Sequence, residues 1–260
     1  MTILDQLAGY ARERVEKEKN IVPLADIRKQ AYDMEPGTFA FEAALKKPGL
    51  SFICECKKAS PSKGLIAPEF PYLDIAKEYE EAGADAISVL TEPKWFLGQD
   101  AYLADIAGAV TVPLLRKDFT VDEYMLYQAK VLGASAVLLI VAILSEKEIR
   151  QSIQICDELG LSALVEIHDE TEADIALSAG ARIVGVNNRN LKDFTVDPKV
   201  SFRLRDRIPD GVSVVSESGI QNAEDVRAIK HMGVDAVLIG EALMRAADKK
   251  ELLGQFRGVG

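Results

Sequence analysis

Nine residues, "LGASAVLLI" (132–140), decide how this chain folds. They follow a helix-like stretch, "VDEYMLYQAKV", and pass through Gly133 and two small residues into an unbroken apolar run. A glycine just past a helix end supplies the left-handed cap, and an apolar run without alternation marks a strand buried on both faces. The same shape recurs in "AGADAISVL" (82–90), "LGLSALVEI" (159–167), "AGARIVGV" (179–186) and "MGVDAVLIG" (232–240).

Adding "SFICECK" (51–57), "VPLLRKDF" (112–119) and "VSVVSES" (212–218) gives strands beginning near 51, 85, 112, 135, 162, 182, 213 and 236. Helical patterns such as "YLDIAKEYEEAG", "SEKEIRQSIQICDELG" and "AEDVRAIKHMG" lie between them. Strands alternating with helices make a parallel sheet with right-handed crossovers. Eight such units predict an α/β fold, a closed (β/α)8 TIM barrel. No GxGxxG follows the first strand, which weighs against an open dinucleotide-binding sheet. Residues 1–47 carry two helical patterns, 2–19 and 24–34, and are expected to pack on a barrel of residues 48–260 as one domain. This extension is either an inert helical cap or a lid.

Composition narrows the partners. The 260 residues carry a net charge of −10, the opposite of a nucleic-acid-binding footprint. A small phosphorylated substrate is compatible with that charge if lysines gather locally. Cys54, Cys56 and Cys156 form neither a disulfide set nor a zinc spacing and are expected to be small buried hydrophobes. His168 and His231, the only histidines, are far apart, so no metal site is expected. The N-terminus lacks the apolar core of a signal peptide, and "AVLLIVAIL" (136–144) is too short to span a bilayer. The expectation is a cytoplasmic monomer, with no membrane and no nucleic acid.

Barrel active sites lie at the C-terminal strand ends. The first strand ends in Glu55 and Lys57, the third in Arg116, Lys117 and Asp118, the fifth in Glu166. The sixth ends in Asn187, Asn188 and Arg189, the seventh in Glu217 and Ser218, and the eighth in Gly240; the second and fourth end in Thr91 and apolar residues. Each group has an ordinary explanation: Glu55 and Lys57 a buried ion pair, "RKD" a solvated turn, Glu166 helix-capping acidity, the asparagines turn residues. Their gathering on one rim favours chemistry. Lys117 is expected to face solvent there with an ordinary pKa. Ser218, Gly219 and Gly240, after the last two strands, stand where barrels hold phosphate through backbone N–H groups, with Lys57, Ser60 and Arg189 as side-chain donors. "SPSKGLIAP" (60–68) suits a mobile loop over that phosphate.

"CECKKASPSKG", "LLRKDF", "LVEIHDE", "GVNNRNL", "SESGI" and "LIGEALM" together resemble, in order and spacing, the indole-3-glycerol-phosphate synthase family of tryptophan biosynthesis. The resemblance spans essentially the whole chain. It implies a barrel that needs no metal or organic cofactor. The implied reaction closes the pyrrole ring of 1-(2-carboxyphenylamino)-1-deoxyribulose 5-phosphate with loss of CO2 and water. It further implies Lys117 as general acid, Glu166 as the carboxylate serving dehydration, and Glu55, Asn187 and Glu217 as groups orienting the lysines and a substrate hydroxyl. Lys57 would contact the substrate carboxylate or phosphate. Ser60, Arg189, Ser218, Gly219, Gly240 and Glu241 would bind phosphate or substrate, though Glu241 and Ala242 replace serines of some relatives. Competing readings are an aldolase with Lys117 as a Schiff base, a related isomerase, and a non-catalytic phosphometabolite binder.

Overall fold

Residues 2–190 and 194–259 are described by a computed structural model, so Leu191 of the "GVNNRNL" motif lies outside the described residues. Strands β1 (Ser51–Cys56), β2 (Ala86–Leu90), β3 (Leu114–Lys117), β4 (Ala136–Ile140), β5 (Ser162–Ile167), β6 (Ile183–Asn187), β7 (Ser213–Glu217) and β8 (Ala236–Ile239) close into a parallel barrel. β8 returns to β1 with Ser51 opposite Ala236 and Ile53 opposite Leu238. Three N-terminal helices, α1 (Ile3–Ile21), α2 (Leu24–Asp33) and α3 (Ala40–Leu45), precede the barrel. The crossovers are α4 (Tyr72–Glu81), α5 (Asp100–Ala107), α6 (Glu123–Val131), α7 (Glu146–Leu159), α8 (Glu170–Ala179), α9 (Lys199–Arg205) and α10 (Ala223–His231), and α11 (Glu241–Arg245) and α12 (Lys249–Val259) end the chain. The glycines of the repeat, at 83, 133, 160, 180 and 233, all take positive φ, as a left-handed helix exit requires.

The strands divide their side chains between two cores. Outward residues such as Cys54, Val89, Leu139, Val165 and Val214 pack under the helices. Inward residues Ile53, Leu115, Leu164 and Val215 come from β1, β3, β5 and β7, while Ala86, Ala136, Ile183 and Ala236 come from the strands between them. Alternate strands thus fill successive layers, the packing that makes this fold solid through its centre. All three cysteines are free and buried, and burial raises their thiol pKa values, consistent with inert packing residues.

The N-terminal extension engages both ends of the barrel. α3, which the sequence pattern does not announce, plugs the bottom: Phe41 and Leu45 join the inner core, and Ser162 Oγ accepts from the Glu42 N–H at 3.2 Å. α1 crosses the opposite rim. Arg14 Nη2 donates to both oxygens of Asp118, just beyond β3, at 2.8 Å each. Asp118 is buried and also accepts from Thr91 Oγ1 at 2.6 Å and from the Phe119 N–H at 2.8 Å. Burial works to raise the Asp118 carboxyl, and Arg14 and Arg116 outweigh it and hold it below the usual range. Removing one partner of a buried pair strands the other charge. Arg14→Ala is therefore expected to lower stability by about 2–3 kcal/mol, softened by the contacts Asp118 keeps. The shift in urea unfolding midpoint measures it, and an unchanged midpoint would show that α1 is not anchored this way.

Candidate active site

The layer nearest the C-terminal mouth breaks the apolar rule. The inward positions that continue Ile53, Leu115, Leu164 and Val215 by two residues are Glu55, Lys117, Glu166 and Glu217, one from each alternate strand. A structural barrel would place branched aliphatics there. Lys117 Nζ donates to Glu166 Oε2 at 3.0 Å and to Glu217 Oε2 at 2.9 Å. Lys57 donates to Glu55 Oε2. Two glycines make room for these carboxylates. A Cβ on Gly185 would collide with Glu217 Oε1, and one on Gly240 with Glu55 Oε2 and Lys57 Nζ.

Burial corrects the expectation of a solvent-facing, ordinary Lys117, whose side chain is only 13% exposed. Desolvation pulls its pKa down, but Glu166, Glu217 and Glu55 outweigh it and raise the value, so the ammonium stays charged. The two carboxylates on it differ. Burial raises Glu217, Lys117 opposes, Glu166 and Glu55 add, and the carboxyl ends at about 7. Burial also works to raise Glu166, yet Lys117 and His168 together hold it well below the usual carboxylate range. Two neighbouring acids pushed apart in this way are suited to different proton-transfer roles.

The flanking residues of "RKD" are not a solvated turn. Arg116 points outward, 2% exposed, and donates to Asp100 Oδ1 and Gln128 Oε1 at 2.7 Å each and to the Met125 carbonyl at 3.0 Å. Asn188 also turns away from the mouth: its amide donates to the Glu217 and Ser218 carbonyls, and its Oδ1 accepts from Ser201 Oγ at 2.9 Å. Asn187 stays at the site, where its Oδ1 accepts from the Arg189 N–H and Ser218 Oγ, both at 3.0 Å.

Above the charged layer opens a cavity of about 900 Å³ that reaches all the expected site residues. One side carries Ser60, Arg189, Ser218, Gly219, Gly240 and Glu241. Ser218 and Gly219 take φ of 69° and 90°, which bends the chain sharply after β7. The Glu241 carboxylate pairs with Lys63 at 3.5 Å and Arg245 at 3.1 Å, so at this position the backbone N–H is the better anion donor. The loop after β1 is more ordered than its composition predicts: Ala59–Ser60 and Gly64–Leu65 pair as a small antiparallel ribbon. The other side of the cavity is apolar and was not singled out from the sequence. It comprises Phe96, Phe119, Leu138 and Ile140 with Ile3, Leu4 and Leu7 of α1. Phe96 and Phe119 lie 6.0 Å apart between centroids, and the buried Glu92 carboxylate orders the Phe96 loop through the N–H groups of residues 94–96. His168 was also missed; it stands behind Glu166, away from any metal-like cluster among the described residues.

Fold and site define a (β/α)8 barrel with a buried layer of lysines and glutamates beneath a cavity at the C-terminal strand ends. A sequence model of the family described as indole-3-glycerol phosphate synthase matches residues 4–256. The indole-3-glycerol phosphate synthase of Ruminiclostridium cellulolyticum is 54% identical over 98% of this chain and 99% of its own length. That of Lactiplantibacillus plantarum is 51% identical over 98% of both. The chain belongs to the indole-3-glycerol phosphate synthase family, the carboxy-lyases of tryptophan biosynthesis. Among solved structures, 3-hexulose-6-phosphate synthase from Salmonella typhimurium superposes with a TM-score of 0.66 at 16% identity, covering 81% of this chain and 98% of that one, a likeness of fold alone.

Two outcomes follow from this geometry. Gly185→Ala pushes the Glu217 carboxylate off Lys117, and a displacement of that size is expected to lower kcat by about 100-fold; full activity would mean Glu217 has no fixed place in turnover. The second concerns pH. A carboxyl raised from 4.5 to about 7 in the folded state binds its proton more tightly there than when unfolded. It therefore withdraws stability as pH rises through that window. Glu217→Gln should flatten the fall in melting temperature between these pH values, and an equal slope in both proteins would contradict the assignment.

Proposed function

We propose that this chain closes the indole ring of 1-(2-carboxyphenylamino)-1-deoxyribulose 5-phosphate, with Lys117 as the general acid. The observation that carries this reading is a buried ammonium shared by two unlike carboxylates, beneath a cavity with an apolar wall and an anion-suited wall. The carboxyphenyl ring fits against Phe96, Phe119 and Leu138, and the phosphate against Ser60, Arg189, Ser218, Gly219 and the Gly240–Glu241 backbone.

In that pose the ring carbon bearing the carboxylate attacks the ketone carbon, and Lys117 protonates the ketone oxygen as it becomes a hydroxyl. Loss of CO2 returns its bonding electrons to the ring and restores aromaticity. The hydroxyl then departs as water, carrying a second proton donated by the Lys57 ammonium, while the adjacent methylene loses a proton that Glu166, the ionised carboxylate, accepts. Glu217 and Glu55 orient the two lysines. Lys57 meets the substrate carboxylate or phosphate, and Asn187, with Oδ1 occupied, turns its NH2 to a substrate hydroxyl. A Schiff-base aldolase would need a neutral Lys117, which two carboxylates disfavour. The same proposal treats residues 1–47 and 48–260 as one domain working as a cytoplasmic monomer. The free cysteines suit a reducing compartment, and no described helix is long and apolar enough to cross a membrane.

Indole absorbance on mixing the purified chain with this substrate tests the reading directly, and no absorbance change would refute it. Lys117→Met should lower kcat by at least about 10²–10⁴-fold, the usual share of a general acid. It should also destabilise the fold, because two buried carboxylates lose their cation. Lys57→Met should raise KM as well as lower kcat. Near-full kcat in Lys117→Met with none in Lys57→Met would reverse the assignment. Turnover is expected to survive exhaustive chelation, because acid and base are both side chains; loss restored by a divalent ion would contradict that.

A further inference from the structure

Where β5 passes into α8, the chain places a histidine two residues beyond Glu166. His168 Nε2 lies 3.3 Å from Glu166 Oε1, while Lys117 holds the other oxygen, Oε2, at 3.0 Å. On the far side of the ring, Nδ1 is 2.9 Å from Glu172 Oε2, which also accepts from the His168 backbone N–H at 2.8 Å. The imidazole is thus fixed through both main chain and side chain. Nε2 is buried, and no described residue gives it a well-formed hydrogen bond. Glu166 Oε1 is the ion-pair partner it faces.

The start of α8 departs from its neighbours in a way that serves this contact. In α7 and α10 the acidic residue at the third helical position folds back onto the N-cap N–H, from Glu148 to Ser145 and from Asp225 to Asn222. In α8, Asp169 caps the N–H of Glu172, but the Glu172 carboxylate reaches past the cap to His168. The ordinary use of that glutamate, closing a capping box, is given up for a hold on the ring.

We propose that His168, anchored by Glu172, is a positioning residue that clamps the second oxygen of Glu166 and so selects Glu166, rather than Glu217, as the carboxylate that accepts the proton. This rests on the reading of Glu166 as the base. Among the described residues Glu217 has no second cation equivalent to His168, and its Oε1 is buried without a hydrogen-bond partner. The electrostatics agree with the geometry. Burial alone would lower the His168 pKa, but Glu166 and Glu172 outweigh it and push it up to about 10, so the ring is an imidazolium at neutral pH. Among the described residues, the charged groups that face it are Glu166 of β5 and Glu172 of α8, with Lys117 of β3 and Glu217 of β7 beyond Glu166. The neighbouring turn after β4, Val141–Ile143, brings no titratable group.

The test compares His168→Gln, Glu172→Gln and Glu166→Gln with the unaltered chain, following turnover of the anilino-deoxyribulose phosphate over about pH 3–9 so that a carboxylate limb falls inside the window. His168→Gln is expected to lower kcat roughly 10- to 100-fold with little change in KM. The acid limb of kcat/KM, set by ionisation of the base, should move up by about 1–3 pH units because an opposite charge has been removed. Glu172→Gln should move it the same way by less. A lower melting temperature with an unmoved acid limb would mean a purely structural role and overturn the proposal. If Glu166→Gln is inactive while His168→Gln keeps the original profile, the clamp alone fails; if Glu166→Gln keeps its kcat, the base assignment fails and the clamp with it. The chain has only two histidines, so imidazole nitrogen NMR on the unaltered protein gives a readout independent of how the variants fold. His168 should carry protons on both nitrogens at about pH 8, and a neutral ring there, where an ordinary histidine has titrated, would overturn the proposal.

Discussion

A lysine ammonium held out of water between two carboxylates is the constraint around which this barrel is organised. Desolvating any one of these groups alone would cost several kcal/mol. They become tolerable only together, with Nζ within 3.0 Å of both glutamates. The three come from β3, β5 and β7, so nothing short of the closed barrel, with alternate strands in phase, brings them into one layer. The apolar layer of Ile53, Leu115, Leu164 and Val215 directly beneath keeps that phase. Gly185, against Glu217, and Gly240, against Glu55 and Lys57, leave the space the carboxylates occupy.

β3 shows how such a layer is kept rigid. Its successive residues point to opposite faces, so Lys117 enters the barrel while Arg116 and Asp118 leave it. Arg116 ties the outer face to α5 and α6 through Asp100, Gln128 and the Met125 carbonyl. Asp118 ties it to α1 through Arg14. The N-terminal helices therefore do more than cover the barrel. α1 lends Ile3, Leu4 and Leu7 to the apolar wall and is pinned one residue away from the central lysine. On the other side, His168 and Glu172 extend the charge chain outward, so Glu166 is gripped from two directions.

Much of this was legible before any tertiary contact was known, because it is local. The glycine that follows a helix and precedes an apolar run has a conformational job that its neighbours in sequence define, and all five repeats keep it. The strand starts fall within two residues of those the pattern predicts, since periodicity and turn chemistry act over a few residues. The polar ends of the strands also stood out, because charge breaking an apolar run is visible in one dimension.

Which of those polar groups face one another was not local. A shift of one residue along β3 exchanges Lys117 for Arg116 or Asp118, and only barrel closure says which enters the mouth. The lysine looked solvent-facing because its burial comes from strands and helices far along the chain. The opposite pKa shifts of Glu166 and Glu217 depend on charges at 55, 117 and 168 adding through a low-dielectric interior, a sum over distances that sequence does not contain. Phe96 and Phe119 sit in connections with no periodic signal, and α3 is too short to announce itself. Sequence specifies the strands, their caps and the chemistry at their ends, because those follow from near neighbours. The closed barrel decides which charges meet and which proton each can hold, because desolvation and Coulomb energy exist only once distant residues share a dry space.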